Sequence, residues 1–136
     1  MKLILLSLFI SISSIAFSQP AAEQKDSSAI VYIIRPTSFA FLIKMDIDCD
    51  SLHIGSTKAK KYVYTRVAPG KHVFVSRSEN NYRFTLNVEA GKVYYIKQEV
   101  KLGALYAETA LELLNEEDGK KYLSKCKLSK DNVFTN

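Results

Sequence analysis

The chain has 136 residues, 47% of them hydrophobic and 24% charged, with a formal net charge of +5. That length suits a single domain, and this much apolar side chain is inconsistent with a disordered polymer. Bases and acids are interleaved with no run of five like charges, which argues against a nucleic-acid partner and leaves a mild attraction to anionic envelope polymers.

Residues 1–18 read as a secretory signal. Lys2 gives a positive start, Leu3 to Phe9 is an apolar run carried on to Phe17 with serines interspersed, and Ala16-Phe17-Ser18 places small residues at the −3 and −1 positions. Cleavage is predicted before Gln19. The apolar stretch, about 15 residues, is short of the roughly 20 that span a bilayer, and no other segment is long and apolar enough to cross one. No Cys lies within or just after it, so a lipid-anchored N-terminus is not expected. Residues 19–28 (QPAAEQKDSS) read as a flexible leader. The expected product is an exported protein, periplasmic or secreted, with its domain spanning 29–128.

The domain then reads as a series of strands. Ala29 to Arg35 is nearly continuous apolar sequence stopped by Pro36, the pattern of a strand buried on both faces. Phe39 to Asp48 ends in alternation, Ile43, Met45 and Ile47 against Lys44, Asp46 and Asp48. Cys49-Asp50 makes a turn into a short strand, Leu52 to Ile54, closed by Gly55. Lys61 to Val67 is a fourth strand, ending at Pro69-Gly70, the pair a type II turn favours because Gly accepts the positive φ. Lys71 to Ser76 follows, then a turn at Asn80-Asn81. Tyr82, Phe84, Leu86 and Val88 alternate with polar residues over the clearest strand of the chain. Val93 to Val100 and Thr109 to Leu114 complete the set. Asn115 caps a helix with Glu116, Glu117 and Asp118 in its first turn and lysines toward its end, which complements the helix dipole. Gly119 is the poor helix former in that segment. Residues 129–136 read as a frayed, disordered tail. The fold class is mainly β, a small antiparallel β-sandwich or barrel with one short C-terminal helix.

No motif carries chemistry. His53 and His72 stand in no metal-binding spacing and lie far in sequence from both cysteines. His53 reads as a surface imidazole and His72 as a half-buried one pointing with Phe74. Asp46, Asp48 and Asp50 form a ladder on one strand face, without the glycine and distal glutamate of a calcium loop. No catalytic, cofactor-binding or metal-binding residue is expected. Two polar residues stand out on apolar faces. Gln98 shares a face with Tyr94, Ile96 and Val100, and Arg35 ends the buried first strand. Arg35, Gln98 and Tyr94 therefore form either a structural polar network or the lining of a ligand pocket. Eight tyrosines offer flat apolar faces with polar tips, suited to sugars or peptides or to a sheet core. Cys49 and Cys126, the only cysteines, are either bridged or two free thiols; geometry decides.

The segments IVYIIRP (Ile30 to Pro36), VAPGKH (Val67 to His72), LNVEAGKVYYIKQEVKLG (Leu86 to Gly103) and LELLNEEDGKKYLSKCKL (Leu111 to Leu128), in that order, resemble a family of exported bacterial proteins known as domain of unknown function 2846. The VAPGKH turn also resembles that of small envelope sandwiches of the PEGA and carboxypeptidase-regulatory types. The resemblance implies a β-sandwich, brings no catalytic residues, and implies a non-enzymatic role. Many members look like lipoproteins, and this chain departs from them in having no acceptor Cys. The functional expectation is a non-catalytic envelope module binding a protein, peptide or glycan, with a small-ligand carrier or inhibitor holding a pocket near Arg35 and Gln98 as the alternative.

Overall fold

The structure is a computed structural model that describes residues 27–103, 105 and 107–133. The signal segment, the leader through residue 26, Ala104, Tyr106 and the last three residues lie outside the described residues. The elements are β1 (Ala29–Arg35), β2 (Met45–Cys49), β3 (Leu52–Thr57), β4 (Lys61–Val67), β5 (Gly70–Arg77), β6 (Asn81–Val88), β7 (Val93–Leu102), β8 (Ala107–Leu114), α1 (Glu116–Ser124) and β9 (Lys127–Leu128). They form a five-stranded sheet in the order β8-β7-β1-β4-β9 and a four-stranded sheet in the order β3-β2-β5-β6. The chain passes between the sheets repeatedly, which is how a sandwich covers the apolar face of each.

Between the sheets lie Val31, Ile33, Ile47, Ile54, Val63, Phe74, Leu86 and Ile96, all buried. The alternation in β4, β5 and β6 puts one residue in two on this face, as read from the sequence. β1 is buried on nearly its whole length because both of its faces are covered. On the outer face of the larger sheet, Tyr32 stacks on Tyr95 with ring centroids 5.7 Å apart, and meets Tyr62 and Tyr64 at 5.9 and 5.8 Å. Four of the eight tyrosines thus pack against one another.

Five expectations are corrected. The sandwich is not purely antiparallel: β7 runs parallel to β1 and β9 parallel to β4. β7 enters beside β1 from the opposite sheet, so no hairpin reverses its direction. Second, residues 37–44 are a loop rather than the start of β2, with Ala40 at φ 53°. Third, the turn before β6 is Ser78–Asn80, and Asn81 already pairs with Arg77. The Asn80 amide instead bridges the sheets, donating to Thr109 O (3.0 Å) and accepting from Thr109 N (2.8 Å).

Fourth, the tail is docked as far as Val133. Ser129 N donates to Tyr62 O, Ser129 Oγ to Ser56 O, Tyr64 N to Asn132 Oδ1 and Val133 N to Ile54 O, all within 3.0 Å. The polar residues that look like a frayed end satisfy the edges of β4 and β3, which would otherwise stand open. Fifth, Gly55 does not stop β3, which runs on to Thr57. It sits at φ 151°, and a Cβ there would come within 2.8 Å of Asp131 O and of a Val63 methyl, so the missing side chain is what lets the tail lie down. Of the two alternatives left open for Cys49 and Cys126, the structure has two free thiols. Cys49 ends β2 in the smaller sheet, while the Cys126 sulfur lies 3.8 Å from Arg35 O on the larger one.

Candidate functional site

Arg35 and Gln98 are fully buried at one end of the sandwich. Parity along β1 carries Arg35 inward with Val31 and Ile33, and parity along β7 does the same for Gln98 with Ile96. The Gln98 carbonyl accepts from Thr57 Oγ1, and its amide donates to Ser76 Oγ at 2.7 Å. Ser76 Oγ in turn lies 2.6 Å from Thr109 Oγ1. This chain of four side chains ties β3, β5, β7 and β8 together. Every member is satisfied, which is the condition for a buried polar network to favour one packing over others.

Arg35 is satisfied differently. Nη1 donates to Ile43 O (2.6 Å) and Thr57 O (3.4 Å), and Nη2 to Phe39 O (3.2 Å) and Ala40 O (2.7 Å). Its Nε has no partner. Burial lowers the guanidinium pKa, but the group keeps its proton in proteins. A buried cation held by carbonyl dipoles shapes backbone rather than binding an acid. Three of the four carbonyls belong to the 37–44 loop, so the loop is wound around the guanidinium.

The wound loop turns its apolar side chains outward. Phe39, Phe41 and Leu42 are 46%, 64% and 78% exposed. The parallel β1–β7 pairing brings the β7–β8 turn to the same end, and Leu102 and Leu105 there are about four-fifths exposed. Around this tip stand lysines. Arg35 pairs with Lys61 across the β1–β4 ladder, which sets Lys58, Lys60 and Lys61 beside it; Lys44 and Lys101 flank the two apolar loops. Lys44 pairs with Asp131 at 3.1 Å, and Glu99 accepts from Lys97 at 2.8 Å, with Lys101 at 3.7 Å.

Thr57 and Ser76 hydrogen-bond the Gln98 amide at the place where the ligand-carrier alternative looks for a pocket. A depression of about 240 Å³ lies against Pro36, Thr37 and residues 97–100; Gln98 contributes to its floor with both ends of its amide already committed. Tyr94 is apart from this network: its hydroxyl accepts from Glu89 N at 2.9 Å and fixes the turn before β7. Gln98→Leu is expected to cost about 2 kcal/mol in urea unfolding, since it strands a buried Thr57 hydroxyl, and Thr57→Val added to it should recover about half of that loss. A Gln98→Leu protein as stable as the wild type would show the network to be dispensable.

The histidines have carboxylate partners, which spacing alone does not reveal. His53 Nδ1 lies 3.3 Å from Asp48 Oδ1, and Arg77 Nη1 takes the other Asp48 oxygen at 2.5 Å. Asp46 accepts from Ser56 Oγ at 2.5 Å. The aspartate ladder is thus split among separate partners, helped by a register shift between Ile47 and Asp48. His72 is clasped on both nitrogens, Nδ1 at 2.5 Å from Asp50 Oδ2 and Nε2 at 2.6 Å from Ala68 O. Burial opposes the imidazolium, but these two bonds outweigh it and raise the His72 pKa. Cys49 lies close by, with its thiol pushed up to about 12 by burial and by Asp50. A nucleophile needs the opposite shift.

Fold and site together define a small two-sheet β-sandwich with a buried arginine that builds an apolar, lysine-ringed tip. Residues 25–110 match the family described as protein of unknown function (DUF2846), and the chain belongs to that family. It is also similar to an uncharacterized protein of Haemophilus influenzae, 31% identical over 109 residues, which make up 79% of this chain and 64% of that protein. The chain thus spans somewhat less than two thirds of that relative. Among the described residues no helix is long and apolar enough to cross a membrane.

Proposed function

We propose that this protein is an exported, non-catalytic module of the cell envelope that docks by its Arg35-built tip onto an anionic lipid surface. The observation that carries the reading is the loop itself: Phe39, Phe41 and Leu42 are held outward on a backbone fixed by three hydrogen bonds to one guanidinium. Exposed apolar side chains grouped in this way mark an interaction surface. Here they stand exposed on two loops, and the lysines around them suit anionic headgroups. Export is supported by the composition of residues 1–18.

Expressed as the full chain in a bacterial host and recovered from its envelope, the protein should begin at Gln19 on N-terminal sequencing. It should sediment with vesicles rich in phosphatidylglycerol and much less with phosphatidylcholine vesicles. Replacing Phe41 and Leu42 together by serine should cost about 3 kcal/mol of that binding, close to a hundredfold. Undiminished sedimentation of this variant would sink the lipid reading. A wild-type protein that ignores vesicles but retains one defined envelope protein through the same two residues would replace it with a protein partner.

A further inference from the structure

We propose that Cys49, Asp50 and His72 form a binding site for a thiophilic divalent cation of the zinc class. The site lies at the end of the sandwich opposite the tip, and the proposal is independent of the docking reading. The β2–β5 ladder aligns Cys49 with Phe74, which brings the end of β2 beside the start of β5. Asp50 follows in the β2–β3 turn with φ 50° and folds back over β5. Its Oδ1 accepts from Val73 N at 2.9 Å, while Oδ2 points at His72 Nδ1. The Cys49 sulfur, an Asp50 oxygen and a His72 ring nitrogen all lie within 4.8 Å of one another. Ligands 2.0–2.3 Å from a tetrahedral zinc are about 3.3–3.8 Å apart, so the His72–Asp50 pair, at 2.5 Å, must open by about 1 Å and the sulfur close by up to about 1 Å.

Two further features fit a cation. His72 Nε2 donates to Ala68 O, and a main-chain carbonyl holding one ring nitrogen is the usual outer partner of a metal-bound histidine, leaving Nδ1 as the ligand. Cys49 and Asp50 also line a depression of about 210 Å³ with Leu52, Ile54, Thr65, Arg66 and Val67, which leaves room for a fourth ligand. The donor set decides the class. One thiolate, one imidazole and one carboxylate suit zinc and its neighbours in the transition series, whereas calcium and magnesium take oxygen ligands. Binding is a proton exchange: the ion displaces the Cys49 thiol proton and the proton shared between His72 and Asp50.

The test uses the purified, processed protein, reduced and stripped with chelator, titrated first with Co²⁺ and then with Zn²⁺. One equivalent of Co²⁺ should bind with a thiolate-to-metal charge-transfer band in the near ultraviolet, and one equivalent of Zn²⁺ should abolish it. Cys49→Ser should lose the band, and Cys126→Ser should keep it. Asp50→Asn preserves the turn, because Asn tolerates positive φ and can still accept from Val73. That variant and His72→Asn, each checked for an unchanged circular dichroism spectrum, should weaken Zn²⁺ binding at least tenfold. Absence of saturable binding, a Co²⁺ spectrum without the thiolate band, or wild-type affinity in Asp50→Asn and His72→Asn would each overturn the proposal.

Discussion

Arg35→Met is expected to destabilise the domain by about 3–4 kcal/mol and to release the 37–44 loop. Methionine fills much of the buried stem but takes the guanidinium from the carbonyls of Phe39, Ala40, Ile43 and Thr57, of which Ala40 keeps a second donor in Ile43 N at 2.9 Å. Bonds to a charged group contribute about 1.5–3 kcal/mol each, and they do not add in full, since the three loop carbonyls can turn to water once the loop opens. The Thr57 carbonyl is more deeply placed and recovers less. Against a typical total stability of about 5–15 kcal/mol this is a large fraction. Urea unfolding measures the loss, and limited proteolysis locates it, because new cleavage should appear between Thr37 and Lys44 before the rest of the domain is cut. Arg35→Lys keeps the charge but not the planar fork, and should fall between the two. Vesicle binding should drop in Arg35→Met although Phe41 and Leu42 are intact, which separates a positioning role from direct contact. A variant that unfolds at a lower urea concentration with no new cleavage in the loop would show that Arg35 supports the core and not the tip.

The same residue shows how far the sequence can be read. A charged side chain ending an apolar strand, and an amide on the inward face of β7, are conspicuous because alternation assigns every position a side; both are buried and hydrogen-bonded within the protein. Alternation likewise places β4 to β6 within a residue or two, and the Asn115 cap with three acids after it locates α1, where Asn115 Oδ1 accepts from Asp118 N at 2.8 Å. What alternation cannot carry is the neighbour of a strand. β7 beside β1 and β9 beside β4 are contacts between distant segments, and nothing in their residues specifies parallel pairing. Loop 37–44 was misread because its apolar residues imitate a strand while its carbonyls answer to a guanidinium. The metal-ligand trio escaped for a similar reason: His72 is separated from Cys49 by two strands, and only the β2–β5 register unites them.

Gly119→Ala should destabilise the protein by about 2–3 kcal/mol, although alanine is the better helix former by about 1 kcal/mol. Gly119 is the buried residue of α1, and a Cβ there would lie 2.5 Å from both Cβ and Cδ2 of Tyr95. The Cβ is fixed by the backbone, so no rotamer of Tyr95 removes the clash. The ring is 6% exposed and stacked on Tyr32, which itself touches Tyr62 and Tyr64, so the sheet cannot yield without disturbing four aromatics. The helix must lift instead, and overpacking of this kind costs more than the propensity gain returns. With a domain of about 100 residues the thermal midpoint should fall by about 10 °C or more. A double-mutant cycle isolates the cause. Tyr95→Ala alone is expected to be costly, about 3 kcal/mol, through the cavity it leaves. Adding Gly119→Ala to that background should then cost less than it does in the wild type, because Cγ and Cδ2 are gone and only the residue-95 Cβ is still struck. If Gly119→Ala costs the same with and without the Tyr95 ring, close approach of α1 to β7 is not what the glycine is for.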